Sequence, residues 1–166
     1  MNNSDFKLVT WSKTFSCGIK LIDDQHKQLI DLVNNMFRHV TGDEEQERKY
    51  FGKVIQEAVK YIKVHFATEE KILRATNFLG YVEHKKIHDK FILTVAKNIS
   101  DFSSEKHLSL YSFTKFLKDW ILSHIAVMDK QYFMFLKKIA SSKANGKLRI
   151  TWTDIQSACK VSEKVS

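Results

Sequence analysis

The stretch FGKVIQEAVKYIKVHFATEEKILRA, residues 51–75, indicates the architecture of the chain. Its apolar residues recur every three or four positions, which is the spacing of one face of an α-helix. Asp43 can cap this helix, with Gln46 three residues on completing a capping box, and we predict that the helix extends to about Ala75. The apolar stripe consists of Phe51, Val54, Ile55, Ala58, Ile62 and Ile72.

Three further segments show the same periodicity. One runs from about Leu21 to Val40 and stops at Thr41-Gly42, where glycine suits the left-handed position past a helix end. Another follows a break over residues 76–80 and runs to about Ser100, and the last, for which Ser103 and Ser104 offer caps, runs to about Ala140. Their stripes contain Ile22, Leu29, Ile30, Val33, Phe37 and Val40, then Phe91, Val95 and Ile99, then Phe113, Leu117, Trp120, Ile121, Met128, Phe135 and Ile139. Short connections imply antiparallel neighbours, so we predict an all-α, up-down-up-down four-helix bundle.

Both ends of the chain fall outside the four helices. Residues 1–20 are predicted to form an extended N-terminal arm that packs on the bundle through Trp11 and Phe15. We therefore assign residues 1–140 to one domain that includes the arm, and residues 141–166 to a short C-terminal extension. In the extension, residues 144–146 are predicted to form a turn, residues 148–152 an extended segment, and Asp154 a cap for a short last helix. This extension is our candidate site for a protein partner.

Composition excludes several classes of protein. The 166 residues fit one domain, 43% of them are apolar, and proline is absent, which permits long helices. The net charge of +8 comes from lysines spread along the chain without interleaved aromatics, so we expect no nucleic-acid role. No apolar run suits a signal peptide or a membrane span, and Cys17 and Cys159 are interpreted as free thiols, so we expect a cytoplasmic protein.

Five of the seven histidines fall on the predicted apolar stripes, where a polar ring is unexpected. Positions i and i+4 lie about 40° apart around a helix, so that His65 and Glu69 point the same way, as do His84 and His88. His124 and Asp129 are five positions apart, about 140° around an α-helix, and we expect them to reach the interior from the two margins of their stripe. The full set is His26, His65, His84, His88 and His124 with Glu69 and Asp129, while His39 and His107 are predicted to be solvated.

This set of side chains predicts a metal centre. A single histidine on an apolar face is usually a core residue with one hydrogen bond, but burying five imidazoles and two carboxylates unpaired would cost several kcal/mol per charged group. A cation would offset that cost. Seven nitrogen and oxygen ligands are too many for one tetrahedral zinc and suit two octahedral ions bridged by carboxylates. The absence of thiolate ligands argues against copper(I) and iron–sulfur clusters.

Four short motifs combine these residues with particular neighbours. They are Trp11, Gly18-Ile19 and Asp23-Asp24-Gln25-His26; His65-Phe66-Ala67-Thr68-Glu69-Glu70; His84, His88 and Phe91; and Trp120, His124, Ile125 and Asp129. Together they resemble the pattern of the hemerythrin family over about residues 8 to 136. The chain departs from that pattern at Phe78-Leu79, where the family usually has Tyr-Pro, and in the tail beyond Ala140.

The resemblance implies a specific site. One non-haem iron would be held by His84, His88 and His124, and the other by His26 and His65 only, which leaves one position open for dioxygen. Glu69 and Asp129 would bridge the two ions beside an oxo or hydroxo group. Trp120, Ile121 and Ile125 match the family's oxygen pocket, although plain core packing also explains them.

The expected function is therefore reversible dioxygen binding for storage, delivery or sensing, without turnover. One alternative is a di-iron oxidase or peroxide-consuming enzyme, although its site would be expected to contain more carboxylates. Another is a signalling module that exports the oxygenation or redox state through the C-terminal extension.

Overall fold

The computed structural model describes residues 6–103, 109–141, 143–144 and 147–148. Three of its helical rods are α1 (Lys20–Arg38), α2 (Glu44–Ala75) and α3 (Tyr81–Ser103). The fourth consists of α4 (Leu110–Ser123), one turn of π-helix (His124–Met128) and α5 (Asp129–Ser141). A 3-10 turn (Lys13–Phe15) precedes them, and β1 (Lys143–Ala144) pairs antiparallel with β2 (Lys147–Leu148). The predicted all-α four-helix bundle is confirmed.

The start of α2 is capped as predicted, with one change of partner. The Asp43 carboxylate accepts the backbone N–H of Gln46 at 3.0 Å. The Gln46 side chain, however, donates to that same carboxylate at 2.8 Å instead of closing the box on the backbone. It is Glu47 that reaches back, accepting the backbone N–H groups of Thr41 and Gly42 at 2.8 Å each. Gly42 has φ +81°, the left-handed conformation expected of it.

The predicted caps of the fourth rod were placed too early in the chain. Ser103 belongs to α3, which is three residues longer than predicted, and Ser104 lies outside the described residues. The cap of α4 is Ser109, whose hydroxyl accepts the backbone N–H of Ser112 at 3.3 Å. Several serines in this region meet the sequence requirement for a cap, so the sequence alone could not decide among them.

The apolar core forms two clusters that lie along the bundle on either side of a polar layer. The larger cluster contains Leu29, Ile62, Phe91 and Ile121, and the smaller contains Ile22, Ile72, Tyr132 and Leu136. On α1, α2 and the fourth rod, the predicted metal ligands lie between residues of the two clusters. Most stripe positions are buried as predicted, whereas Phe37, Val40, Ile99, Trp120, Met128, Phe135 and Ile139 are only half-buried.

The N-terminal arm is fixed to α1 by hydrogen bonds. The Asn34 side chain accepts the N–H of Val9 at 2.9 Å and donates to the Val9 carbonyl at 2.8 Å. Trp11 and Phe15 pack against the larger cluster, as the sequence predicted. Cys17 is a buried free thiol, and its N–H donates to the Asp23 carboxylate at 2.7 Å.

The C-terminal extension is described only in part. The pairing of β1 with β2 agrees with the predicted chain reversal, although residues 145 and 146 lie outside the described residues. The same holds for Cys159, His107 and the predicted last helix, and the domain boundary at residue 140 stays a prediction. Within the described residues, no helix combines the length and apolar character needed to cross a bilayer.

Candidate metal centre

The seven predicted ligand side chains meet in the middle of the bundle. All are buried, with at most 4% of any residue exposed. They form two groups that share Glu69, and within each group the ligand atoms lie within 4.8 Å of one another. The first group is Glu69, His84, His88 and His124, and the second is His26, His65, Glu69 and Asp129.

A turn of π-helix brings His124 and Asp129 together. The N–H of Asp129 donates to the carbonyl of His124, which is an i→i+5 bond in place of the α-helical i→i+4 bond. The π-helical turn contains one residue more than an α-helical turn, so that side chains five positions apart lie on the same face. His124 Nε2 therefore lies 3.2 Å from Asp129 Oδ1. The expectation that these two side chains enter from opposite margins of an α-helical stripe was therefore wrong. The five-residue spacing was the signal for this turn in the sequence.

The Glu69 carboxylate faces histidines of both groups. Its Oε2 atom lies 3.3 Å from Nε2 of His88, 3.6 Å from Nε2 of His84 and 3.7 Å from Nε2 of His65. Its Oε1 atom lies 3.9 Å from Nε2 of His26. An oxygen pair in this position can contact two cations at once.

The Asp129 carboxylate is placed in the same way on the opposite rod. Its Oδ1 atom lies 3.2 Å from Nε2 of His124 and 3.6 Å from Nε2 of His84. Its Oδ2 atom lies 3.3 Å from Nε2 of His26. Both carboxylates therefore lie between the two histidine groups, which is the arrangement that bridging ligands require.

Unpartnered polar atoms at this centre fit a pair of cations. Among the described residues, these buried atoms have no hydrogen-bond partner: Nε2 of His26 and His84, Oε2 of Glu69, and both carboxylate oxygens of Asp129. Moreover, Nε2 of His88 and Nε2 of His124 face each other at 3.0 Å. Buried polar atoms are normally satisfied, and two cations, one in each group, would satisfy these lone pairs together.

The acid–base properties of the centre favour the same interpretation. Burial lowers the pKa of His65 to about 3 and also lowers that of His26, so both imidazoles are neutral and able to bind a metal. Burial, together with the Glu69 charge, raises the pKa of Asp129 to about 8. Burial would raise the pKa of Glu69 too, but the facing imidazoles outweigh it and hold this pKa well below its usual value. Without a cation, Glu69 is therefore ionised and Asp129 keeps its proton at neutral pH, and cations beside both carboxylates would favour the ionised form of each.

Three side chains outside the ligand set contact ligands, and two of them, Gln25 and Glu70, were not predicted in these roles. Gln25 Oε1 lies 3.1 Å from Nδ1 of His65, and Glu70 Oε1 lies 3.2 Å from Nδ1 of His88. The Tyr132 hydroxyl donates to Glu69 Oε1 at 2.5 Å. Gln25 directly precedes His26, and Glu70 directly follows Glu69. This adjacency to a ligand was the signal in the sequence that could have indicated their roles.

Aromatic rings cover the histidine-rich side of the centre. Phe66 stacks on His88 with the ring centroids 3.7 Å apart, and Trp120 stacks on His124 at 4.3 Å. Ile121 and Ile125 are buried beside them in the larger cluster. Trp120 is half-buried, and its stacking places it against the group that contains three histidines.

Comparison with known proteins identifies the family. The family model of the hemerythrin HHE cation binding domain matches residues 17–136. The chain belongs to the hemerythrin family. A bacteriohemerythrin of Methylococcus capsulatus is 30% identical to this hemerythrin over 127 residues, which cover 75% of this chain and 94% of the relative. A bacteriohemerythrin of Stenotrophomonas maltophilia is 31% identical over 125 residues, which cover 75% of this chain and 79% of the relative.

Solved hemerythrin structures share the bundle. The crystal structure of wild-type hemerythrin has a TM-score of 0.69 and 29% sequence identity, covering 76% of this chain and 96% of that chain. Hemerythrins are known for binding oxygen at a di-iron site, and this hemerythrin contains a buried histidine and carboxylate cluster that could bind metal.

Proposed function

We propose that this chain binds dioxygen reversibly at a non-haem di-iron centre, for storage, delivery or sensing, and does not turn it over. The observation that carries the proposal is the unequal division of the ligands. Three histidines lie in one group and two in the other, while both carboxylates face the two groups. With two shared carboxylates and one shared solvent oxygen, six-coordinate geometry would be complete on one side and would lack one ligand on the other.

The protein residues would have distinct tasks. His84, His88 and His124 would hold one ion, and His26 and His65 the other. When bound, the iron pair would supply the electrons and the open coordination position that dioxygen binding requires. Glu69 and Asp129 would bridge the ions and keep their separation constant.

The surroundings of the centre favour binding over chemical turnover. Ile121 and Ile125 are 3% and 2% exposed, so they exclude water from their side of the ligands. A dry apolar wall slows the side reactions of bound oxygen species. We assign Ile121 and Ile125 to the oxygen pocket on this basis, whereas Trp120, which was predicted beside them, stacks on His124 and would cover the three-histidine side.

Among the described residues, one phenol lies beside the ligands, and it is unsuited to proton transfer. Burial and the charges of Glu69 and Asp129 raise the pKa of Tyr132 well above its usual value. Tyr132 therefore keeps its proton and donates it in a hydrogen bond to Glu69. An oxidase would need a group that delivers protons during each turnover, and this phenol is a poor candidate for that task.

The test is repeated cycling of purified, iron-loaded protein. The reduced protein is exposed to air under a spectrophotometer, then flushed with argon, and the cycle is repeated without added reductant. A carrier should develop an optical band in air, lose it under argon, and do so in every cycle, with two irons per chain by elemental analysis. Hydrogen peroxide that accumulates in step with added reductant would identify an oxidase instead, and one zinc without iron would refute the centre.

A further inference from the structure

A short chain of hydrogen bonds connects His65 to the backbone of its own helix. His65 Nδ1 lies 3.1 Å from Gln25 Oε1, and Gln25 Nε2 donates to Thr68 Oγ1 at 3.2 Å. The Thr68 hydroxyl in turn donates to the carbonyl of Val64 at 2.8 Å. His65, Gln25 and Thr68 are all buried, with at most 7% exposed, so water competes little for these bonds.

The direction of this chain determines which nitrogen of His65 carries the proton. A threonine hydroxyl has one hydrogen, and here it goes to the Val64 carbonyl. Thr68 Oγ1 can then only accept, so the amide nitrogen of Gln25 must face it and the amide oxygen must face His65. An amide oxygen accepts and does not donate, and His65 therefore carries its hydrogen on Nδ1. Its Nε2 lone pair is left facing the centre, 3.7 Å from Glu69 Oε2.

The corresponding partner in the other group is a carboxylate. Glu70 faces Nδ1 of His88 at 3.2 Å, and Arg74 lies 3.6 Å from its other oxygen. A carboxylate that accepts from an imidazole makes the ring a stronger electron donor than a neutral amide does. The two groups therefore differ in the strength of an outer hydrogen bond as well as in the number of histidines.

We propose that Gln25, oriented by Thr68, is a positioning residue that holds His65 in the tautomer required for metal binding. Because its amide is neutral, Gln25 also keeps His65 a weaker electron donor to the metal than His88, which faces the Glu70 carboxylate. The proposal rests on the di-metal function above. It assigns Gln25 and Thr68 control over the affinity and the redox potential of the two-histidine side, the side with the open position.

The first experiment measures metal affinity. Gln25→Leu removes the acceptor, and Thr68→Val removes the group that orients the amide. Anaerobic titration with ferrous iron against a competing chelator should show one of the two ions bound 10- to 100-fold more weakly, roughly the effect of losing such a partner, with the other ion unchanged. Thr68→Ser keeps the hydroxyl and should restore parental affinity.

The matched control for threonine is Thr94→Val. The Thr94 hydroxyl makes the same type of bond, to the carbonyl of Lys90 at 2.9 Å, on an exposed part of α3. This variant loses the same intrahelical bond and should bind both ions as the parent does. Parental affinity for both ions in Gln25→Leu and Thr68→Val would overturn the proposal, as would equal weakening in Thr94→Val.

The second experiment separates a bond to His65 from a general effect of charge. Gln25→Glu places a carboxylate on His65 Nδ1, so His65 becomes a stronger donor and the midpoint potential of the iron pair should fall. Gln28→Glu adds the same charge on an exposed residue that borders the same surface cleft, between α1 and α2, as Gln25. It should leave the potential near that of the parent, and equal shifts in the two variants would refute a role through His65.

The outcomes distinguish this proposal from the function on which it rests. A parent protein that takes up no pair of irons contradicts the proposed function itself. A parent that takes up two irons and cycles with oxygen, while Gln25 and Thr68 variants match it in affinity and potential, contradicts only the positioning role.

Discussion

Replacing Tyr132 with phenylalanine would remove one oxygen atom from the centre of the bundle. The Tyr132 residue is fully buried, and its hydroxyl donates to Glu69 Oε1 at 2.5 Å. Glu69 is ionised at neutral pH because the facing imidazoles hold its pKa well below the usual value against the effect of burial. Hydrogen bonds to charged groups contribute about 1.5–3 kcal/mol to the free energy of unfolding. For a chain of this size, that loss corresponds to a melting temperature lower by about 3–12 °C.

Tyr50 provides the matched control. Its hydroxyl is buried and has no hydrogen-bond partner among the described residues. Tyr50→Phe therefore removes an oxygen atom without removing a hydrogen bond to any of these residues. The melting temperature of Tyr50→Phe should be unchanged or slightly higher. The assay is thermal unfolding of the metal-free proteins followed by circular dichroism. Equal melting temperatures for Tyr132→Phe and Tyr50→Phe would refute the argument that the Tyr132 phenol stabilises a charged Glu69.

Three further predictions concern the metals. Removing them with a chelator should lower the melting temperature, because ligands that bind only the folded state add to its stability, and equal values for the two forms in calorimetry would contradict the centre. His84→Ala should cause loss of iron from the three-histidine side, so that elemental analysis finds fewer than two irons per chain. Ile125→Phe should keep both irons but slow oxygen binding in stopped-flow measurements, since the larger ring fills the proposed pocket; parental rates would show that the pocket lies elsewhere.

The helices were predictable because local rules determine them. The apolar stripe of α2, its Asp43 cap and the left-handed Gly42 each depend on residues within a few positions of one another. The convergence of the candidate ligands was predictable for a related reason. Polar side chains on an apolar stripe must enter the core of a bundle, whatever the precise packing of its helices.

Features that depend on contacts between distant residues were not predictable. Gln25 and Thr68 lie on different helices, 43 positions apart in the sequence, and nothing local indicates that their side chains meet. The π-helical turn at His124–Met128 was missed because an analysis of helical periodicity assumes regular α-helical turns throughout. The cap at Ser109 was missed because neighbouring serines satisfy the same local rule.

Several departures from regular folding rules occur together at the metal centre, and their common position indicates what they are for. A π-helical turn, two buried carboxylates and several unpartnered nitrogen atoms each reduce the stability of a helical bundle. Here the turn carries His124 at its start and ends at Asp129, and the unpartnered atoms of His26 and His84 face the same carboxylate. Two apolar clusters flank this layer along the bundle and supply the stability that it lacks. A chain under selection for stability alone would fill such a layer with apolar residues. Its retention in this chain is therefore best explained by a ligand that these atoms bind together.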